Sequence, residues 1–170
     1  MAFGSGASVA QSVEQLFRKQ QVGGSSPLAG SILILERSVM NIFKAVLGIC
    51  ETKPLADSAW TLKDTQVSVD LKAATPLSCK GGAVYLKGQG LSKPVIVVRG
   101  DDNKLYAYEN SCTHGHRKID PLAGEGKLRC CSVNHSTFNY DGKPLSGPAK
   151  HNIRRYDARE SGGKLIIKIA

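Results

Sequence analysis

Two short segments of this chain combine cysteine and histidine at spacings that suit a metal centre. Cys112 and His114 stand one residue apart, so a single loop can present a thiolate and an imidazole to the same metal. A second group, Cys130, Cys131 and His135, follows, with sixteen residues between His114 and Cys131. Thiolate and imidazole ligands together are typical of iron-sulfur and zinc sites.

The remaining cysteines and histidines lack such a context. Cys50 and Cys79 have no ligand partner nearby in sequence, and we expect them to be buried small hydrophobes. The chain has five cysteines, an odd number without regular disulfide spacing. We therefore expect reduced thiols or metal ligands in a cytoplasmic protein, rather than an oxidised secreted framework. His116 follows His114 by two positions; we expect it, like His151, to be a histidine at the loop surface.

Short strands separated by turns must position these groups. Val67, Val69 and Leu71 alternate with polar residues, which is the period of a half-buried strand. Apolar runs bounded by Gly, Asp, Asn and Ser predict further strands at 83–86, 95–99, 105–108, 127–130, 137–140, 153–158 and 164–169. This pattern predicts an all-β barrel or sandwich. Residues 110–149 interrupt it with many Gly, Pro, Cys and His, as expected of site-bearing loops.

Residues 1–39 do not resemble a folded segment. They sustain neither helical nor strand periodicity. Back-translation of residues 9–15 and 24–27 can reproduce the D-arm and T-arm sequences of a transfer RNA gene. We therefore expect a reading frame started too early, with the domain at 40–170; the alternative is a flexible polar tail or a targeting peptide.

The basic charge of the chain does not indicate nucleic-acid binding. The formal net charge is +9, but the basic residues are scattered singly or in pairs such as Arg154-Arg155 and alternate with acidic ones. We expect a solvated basic face that meets an acidic protein partner. No apolar run approaches the length of about 20 residues that a membrane-spanning helix needs.

The wider motif resembles that of the Rieske family. Its pattern is C-x-H, a gap of some sixteen residues, C-x-x-H, S-x-F, a D-G turn and a G-P-A loop; here Ser136-Thr137-Phe138, Asp141-Gly142 and Gly147-Pro148-Ala149 supply the later parts. The resemblance runs from about Trp60 to the C-terminus. It implies an antiparallel β-sandwich or barrel with a small cluster-binding subdomain. It also implies a [2Fe-2S] cluster with two cysteines on one iron and two histidines on the other. On this basis we expect Cys112, His114, Cys131 and His135 to be the ligands.

The second ligand pair departs from the family pattern. Counting back from Phe138, the second histidine should be residue 134, which is Asn134 here, and an amide is a poor iron ligand beside imidazole. Counting forward from the strand at 127–129, the ligand cysteine would be Cys130. Three outcomes stay open: a cluster bound through Cys130 or Cys131 and His135 in a stretched loop, a fold whose cluster is lost or altered, and zinc at the same residues.

The resemblance also implies a function. High-potential members add a disulfide between the ligand loops, and the matching positions here are Arg117 and Val133, so the chain is similar to the low-potential ferredoxin type. Only about twenty residues follow His151, too few for the iron domain of an oxygenase. We expect an electron-transfer component serving a reductase or oxygenase. The alternative is a degenerate Rieske module without a cluster, used for protein interaction or holding a structural metal.

Overall fold

A computed structural model describes residues 50–169 of the chain, and the regular secondary structure of this part is almost wholly β-strand. The strands are β1 (Lys53–Pro54), β2 (Trp60–Lys63), β3 (Gln66–Asp70), β4 (Ala83–Leu86), β5 (Val95–Arg99), β6 (Leu105–Glu109), β7 (Ile119–Leu122), β8 (Lys127–Cys130), β9 (Thr137–Asn139), β10 (Pro144–Ser146), β11 (Arg155–Ser161) and β12 (Lys164–Lys168). Two 3₁₀ turns, Asp57–Ala59 and Thr75–Ser78, complete the regular structure of this range. Residues 50–169 include no helix long and apolar enough to span a bilayer.

Eight strands form the larger sheet, in the order β1-β4-β5-β6-β11-β12-β3-β2. β1 pairs with β4 in parallel, and the other neighbours pair antiparallel. Val67 and Val69 of β3 and Leu165 and Ile167 of β12 are all buried. They belong to the first hydrophobic core, as the alternation of apolar and polar residues in both strands predicts.

Four strands form the smaller sheet, in the order β10-β9-β8-β7, all antiparallel. Its buried residues Ile119, Leu128 and Phe138 share a second hydrophobic core with Ile96 and Tyr108 of the larger sheet. This second core also includes Cys112 and Cys130. The metal-ligand candidates therefore lie where the smaller sheet packs on the larger one.

The central strands β4, β5 and β6 serve both cores. Alternate residues of β5, such as Val97 and Ile96, belong to the first and the second core respectively. Burial on both faces explains why residues 95–98 form an unbroken run of Val and Ile, all with exposed fractions of 1% or less.

Asp101 joins the two sheets near their turns. Its carboxylate accepts hydrogen bonds from the backbone N–H groups of Gly124 and Gly126, at 3.0 and 2.7 Å, in the turn between β7 and β8. The Tyr140 hydroxyl donates to the same carboxylate at 3.3 Å. The two backbone donors are the main reason that the pKa of Asp101 lies below its ordinary value.

The predicted all-β class is confirmed, with differences at individual strands. The hairpins β5–β6, β8–β9 and β11–β12 are present. The strand expected from Ile153 begins at Arg155, since the Ile153 N–H donates to Gly142 O at 2.9 Å and its side chain lies in the second core. The sequence pattern did not predict β1, β2, β7 or β10. The predicted extension, residues 1–39, lies outside the described residues.

Candidate metal centre

The first ligand loop is a tight turn that follows β6. The Cys112 N–H donates to Arg117 O and the His116 N–H donates to Cys112 O, both at 2.8 Å. His116 has a φ of 54°, a left-handed conformation that closes the turn. At the base of the loop, the buried Asn110 side chain accepts a hydrogen bond from Ile119 N at 2.9 Å. The loop is therefore held by hydrogen bonds between its own residues and by the Asn110 side chain at its base.

The second ligand loop connects β8 to β9. Cys130 ends β8, and its N–H donates to Ser136 O at 2.8 Å. The Cys131 N–H donates to Lys118 O of the first loop at 2.9 Å. Between these anchors, Val133, Asn134 and His135 are exposed. The ends of this loop are fixed to the fold, whereas its middle faces solvent.

A third loop, residues 147–151, packs on the second. Gly147 has a φ of 82°, and a Cβ atom at this position would lie 2.1 Å from His135 O, so only glycine fits. The Ala149 N–H donates to the buried Ser136 hydroxyl at 3.0 Å. The Thr113 hydroxyl donates to His151 O at 2.8 Å. The third loop thus connects to both ligand loops, to the second through Gly147 and Ala149 and to the first through His151.

These loops bring three metal-ligand candidates together. One ligand atom from each of Cys112, His114 and Cys130 lies within 4.8 Å of the other two. Cys112 Sγ is 3.0 Å from His114 Nδ1, and the Ser136 hydroxyl is 3.4 Å from the same nitrogen. Both thiols are fully buried. Two soft sulfur ligands and an imidazole are a suitable donor set for iron-sulfur or zinc chemistry.

Burial determines the protonation of this group when it is free of metal. Removal from water, with a smaller contribution from the neighbouring Cys112 thiol, raises the pKa of Cys130 to about 11, although the Ser132 hydroxyl acts in the opposite direction. The free thiol is therefore protonated at neutral pH. Binding a metal must displace this proton, and the charge of the metal would then compensate that of the buried thiolate.

The two residues predicted as the second ligand pair, Cys131 and His135, differ in their contacts. Cys131, expected to be a ligand, is instead bonded to Cys50 in a disulfide, and Cys130 is the cysteine beside Cys112 and His114. His135 lies next to Cys130: its Nδ1 is 3.3 Å from the Cys130 carbonyl oxygen. It does not belong to the group of three donors.

Two expectations about the other cysteines were wrong. Cys50 is half-buried and disulfide-bonded, and Cys79 is exposed, so neither is a free buried hydrophobe. The bridge spans 81 positions of sequence. Spacing alone does not reveal such a pair, because it depends on the segment at residue 50 reaching the second ligand loop. The histidines expected at the surface, His116 and His151, are exposed.

The surface around the loops is basic and partly apolar. Residues 111–118, 130–136 and 143–151 include Arg117, Lys118, Lys143 and Lys150 and no acidic residue. All four are exposed. The two large apolar side chains that are most exposed in the described range are Val133 and Leu145, at 60% and 50%. Both belong to these segments.

Comparison with known proteins identifies the domain. The family model of the Rieske [2Fe-2S] domain matches residues 70–157. The chain is 35% identical over 74 residues to the carotenoid phi-ring synthase of Chlorobaculum tepidum, a match that covers 44% of this chain and 11% of the synthase. It is 25% identical over 92 residues to the ferredoxin component of the naphthalene 1,2-dioxygenase system of Pseudomonas aeruginosa, covering 54% of this chain and 86% of that protein.

A solved structure gives a similar match. The plasma membrane Rieske protein PetC3 from Synechocystis PCC 6803 is 30% identical, with 55% of this chain and 92% of that chain covered and a TM-score of 0.45. The match lengths differ widely among relatives, since the chain spans a small part of the synthase and most of the ferredoxin component.

Proposed function

This chain belongs to the Rieske [2Fe-2S] domain family, and we propose that it carries single electrons to a partner enzyme through a [2Fe-2S] cluster. We assign Cys112, His114, Cys130 and His135 as the ligands. The convergence of Cys112, His114 and Cys130 within 4.8 Å is the observation that carries this proposal. Iron-sulfur clusters of this type take two thiolates and two imidazoles.

We prefer Cys130 to Cys131 as the second thiolate for two reasons. The Cys130 sulfur is buried beside Cys112, whereas the Cys131 sulfur is engaged with Cys50. Cys130 also ends β8, a rigid strand whose partners fix its position. The assignment from the sixteen-residue gap favoured Cys131, and the geometry is the stronger argument.

His135 is the histidine available to complete the set. Its ring lies against the backbone of Cys130, with Nδ1 at 3.3 Å from the carbonyl oxygen. With Cys130 as the ligand, His135 follows five residues later, so the loop is longer than C-x-x-H. The imidazole is a far better iron ligand than the amide of Asn134, which occupies the position of the family histidine.

The cluster would supply one-electron chemistry, and the chain's own residues would adjust it. Hydrogen bonds near the sulfur ligands and solvent exposure set the reduction potential. The Ser132 hydroxyl lies 3.3 Å from Cys130 Sγ. Burial of both thiols excludes water from the sulfur side, while His114 is more exposed than either thiol. Because no disulfide can join Arg117 and Val133, we infer the low-potential type.

The partner we propose is a reductase or oxygenase with an acidic docking face. The relative from Pseudomonas aeruginosa is the ferredoxin component of a dioxygenase system. The loops around the site carry four basic residues and no acidic one, which would steer an acidic surface toward the cluster. The exposed Val133 and Leu145 would add apolar contact at the centre of that face.

Electron paramagnetic resonance tests the proposal. Protein expressed with iron and sulfide and purified without oxygen should hold two irons and two sulfides per chain. After reduction it should show a rhombic signal whose average g value lies in the Rieske range, because imidazole donates less charge to iron than thiolate does. A four-cysteine type of signal, or no iron after reconstitution, would contradict it.

A structural metal is the second candidate. The group of donors that the structure brings together has three members, and a structural zinc ion would need a fourth protein ligand, such as His135, to close its site. Metal analysis of the same sample separates the two: stoichiometric zinc without iron favours the structural metal. The predicted cytoplasmic location remains a prediction, to be tested by fractionation of the source cells.

A further inference from the structure

A disulfide attaches the second ligand loop to a distant part of the chain. Cys131 directly follows the proposed ligand Cys130, and its bond to Cys50 joins Cα atoms 5.6 Å apart. The other three cysteines of residues 50–169, Cys79, Cys112 and Cys130, are free thiols. The bridge therefore acts at one end of the loop that also presents His135.

The segment after Cys50 has attachments of its own. The N–H groups of Glu51 and Thr52 donate to the Asp120 carboxylate at 2.6 and 3.2 Å, and the β1 strand then pairs with β4. None of these contacts requires the sulfur–sulfur bond. Once the bond is opened, they keep Cys50 near Cys131, so the two thiols can close again at high effective concentration.

Access to the two sulfurs is unequal. Cys50 is half-buried, whereas Cys131 has an exposed fraction of 9%. A reductant therefore attacks at Cys50. On the other side of the bridge, Val133, Asn134 and His135 are exposed, and the hydrogen-bond contacts of Asn134 and His135 are to residues of the same loop. Loss of the covalent anchor at Cys131 should loosen this stretch more than any other.

We propose that the Cys50–Cys131 bridge is a reversible thiol–disulfide exchange site that takes a dithiol reductant, and that its opening weakens the hold of the second ligand loop on the metal centre. The effect on the metal rests on the proposed function. A thiolate of the reductant attacks Cys50 Sγ, and Cys131 Sγ leaves and takes up a proton. The reductant's second thiol then attacks the mixed disulfide and releases Cys50 as a thiol. Two electrons and two protons pass to the protein, and the reductant becomes a disulfide.

The expected cytoplasmic location favours a reversible disulfide over a purely structural one. In the cytoplasm of most organisms, glutathione and thioredoxin keep thiols reduced, and disulfides that do occur there are usually transient, catalytic or redox-sensing. A bridge that lies beside a metal ligand, rather than deep in a core, fits the sensing class.

Thiol labelling tests the exchange site without reference to any metal. The full chain is equilibrated in buffers of oxidised and reduced dithiothreitol, blocked with N-ethylmaleimide and mapped by peptide mass. Cys50 and Cys131 should change together from unlabelled to labelled along the series, and should return to unlabelled when the reduced protein is transferred to oxidised dithiothreitol, which accepts the two electrons. Labelling of both without reductant would overturn the proposal. So would resistance of the bridge to every reduced buffer while the protein stays folded.

Hydrogen exchange tests the loosening of the loop. Amides of residues 131–135 should exchange about tenfold faster in the reduced protein, whereas Leu165 and Ile167 in β12 should not change. Equal exchange of residues 131–135 in the two forms would overturn the proposed effect on the loop. Because this measurement needs no iron, it separates the present inference from the function proposed above.

Iron release completes the test. Transfer of iron to a chelator should be about tenfold faster from the reduced protein, in proportion to loop opening. The Cys50→Ser variant should release iron at the fast rate in both buffers. Cys79→Ser removes a free thiol outside the bridge and should behave like the parent chain. Equal rates of iron release in the oxidised and reduced buffers would count against the inference. Protein that never binds iron, but gives the expected labelling and hydrogen exchange, would refute only the proposed function.

Discussion

The two ligand loops differ in how they are held. The first, between Cys112 and Lys118, closes on itself through hydrogen bonds from Cys112 and His116, and Asn110 fixes its base. The second, between Cys130 and Ser136, has one bond across its own ends, from the Cys130 N–H to Ser136 O, and depends otherwise on other parts of the chain. These are Lys118 of the first loop, Gly147 and Ala149 of the third, and Cys50 through a disulfide. The ligands of a loop that is held mainly by its own hydrogen bonds can be predicted from its own sequence. The ligands of a loop that depends on distant residues cannot.

The largest effect is expected from the two neighbouring cysteines of the second loop. Cys130→Ser should abolish iron and sulfide binding, because it removes the buried thiol that we propose as the second sulfur ligand. Cys131→Ser should retain the cluster, since it removes only the bridge to Cys50. Iron and sulfide assays on the anaerobically purified variants measure both. The reverse result, with Cys131→Ser devoid of iron and Cys130→Ser loaded, would reinstate the assignment made from the sequence gap.

This pair of variants marks the limit of what the sequence predicts. C-x-H identified the first loop, and alternation predicted strands such as β3, which lies at Gln66–Asp70. The choice between Cys130 and Cys131 depends on which way each side chain points at the end of β8, where adjacent side chains face opposite sides. Cys131 and Cys50 are 81 positions apart in sequence, so no local sequence pattern predicts their contact. Strand β7 was missed because Pro121 lies in it, and proline disfavours strands.

The same comparison of the two loops can be made for their histidines. His135→Ala should abolish the Rieske-type signal, since each loop supplies one imidazole in the proposed centre. His116→Ala should leave the signal intact, because His116 contacts Ser111 at 3.3 Å rather than the donor group. The reduced-state resonance of both variants provides the measurement. A signal that survives His135→Ala and disappears in His116→Ala would transfer the fourth ligand to the first loop.

Gly147 tests how strongly the third loop supports the second. Gly147→Ala should lower the free energy of unfolding by about 2–4 kcal/mol, because it combines a positive φ with a clash against the backbone of His135. Gly124→Ala is the matched control: its φ is 78° but no atom lies within 4 Å of the new Cβ, so only the conformational cost of about 1 kcal/mol remains. Urea unfolding gives both values. Equal losses in the two variants would show that the contact with His135 contributes nothing.

A smaller difference is expected between one serine in each loop. Ser136→Ala should cost about 1–3 kcal/mol, because the buried Ala149 N–H loses its acceptor. Ser111→Ala in the first loop should stay within about 0.5 kcal/mol, since its hydroxyl contacts only the exposed ring of His116. Unfolding curves measured in the same buffer compare the two. A larger loss from Ser111→Ala would mean that the first loop also depends on a side chain for closure.

The smallest effect is expected at the residue where the sequence departs furthest from its family. Asn134→His places an imidazole at the family position, three residues after Cys131, yet Cys131 is bonded to Cys50 and the proposed thiolate is Cys130. Asn134 is exposed, and its carbonyl oxygen, which accepts a hydrogen bond from the Ser132 hydroxyl at 3.1 Å, is a backbone atom that the substitution retains. Iron content, visible spectrum and reduced-state resonance should therefore match those of the parent chain. A parent protein that is colourless and an Asn134→His variant that turns brown would instead identify a Rieske fold that has lost its cluster through this one residue.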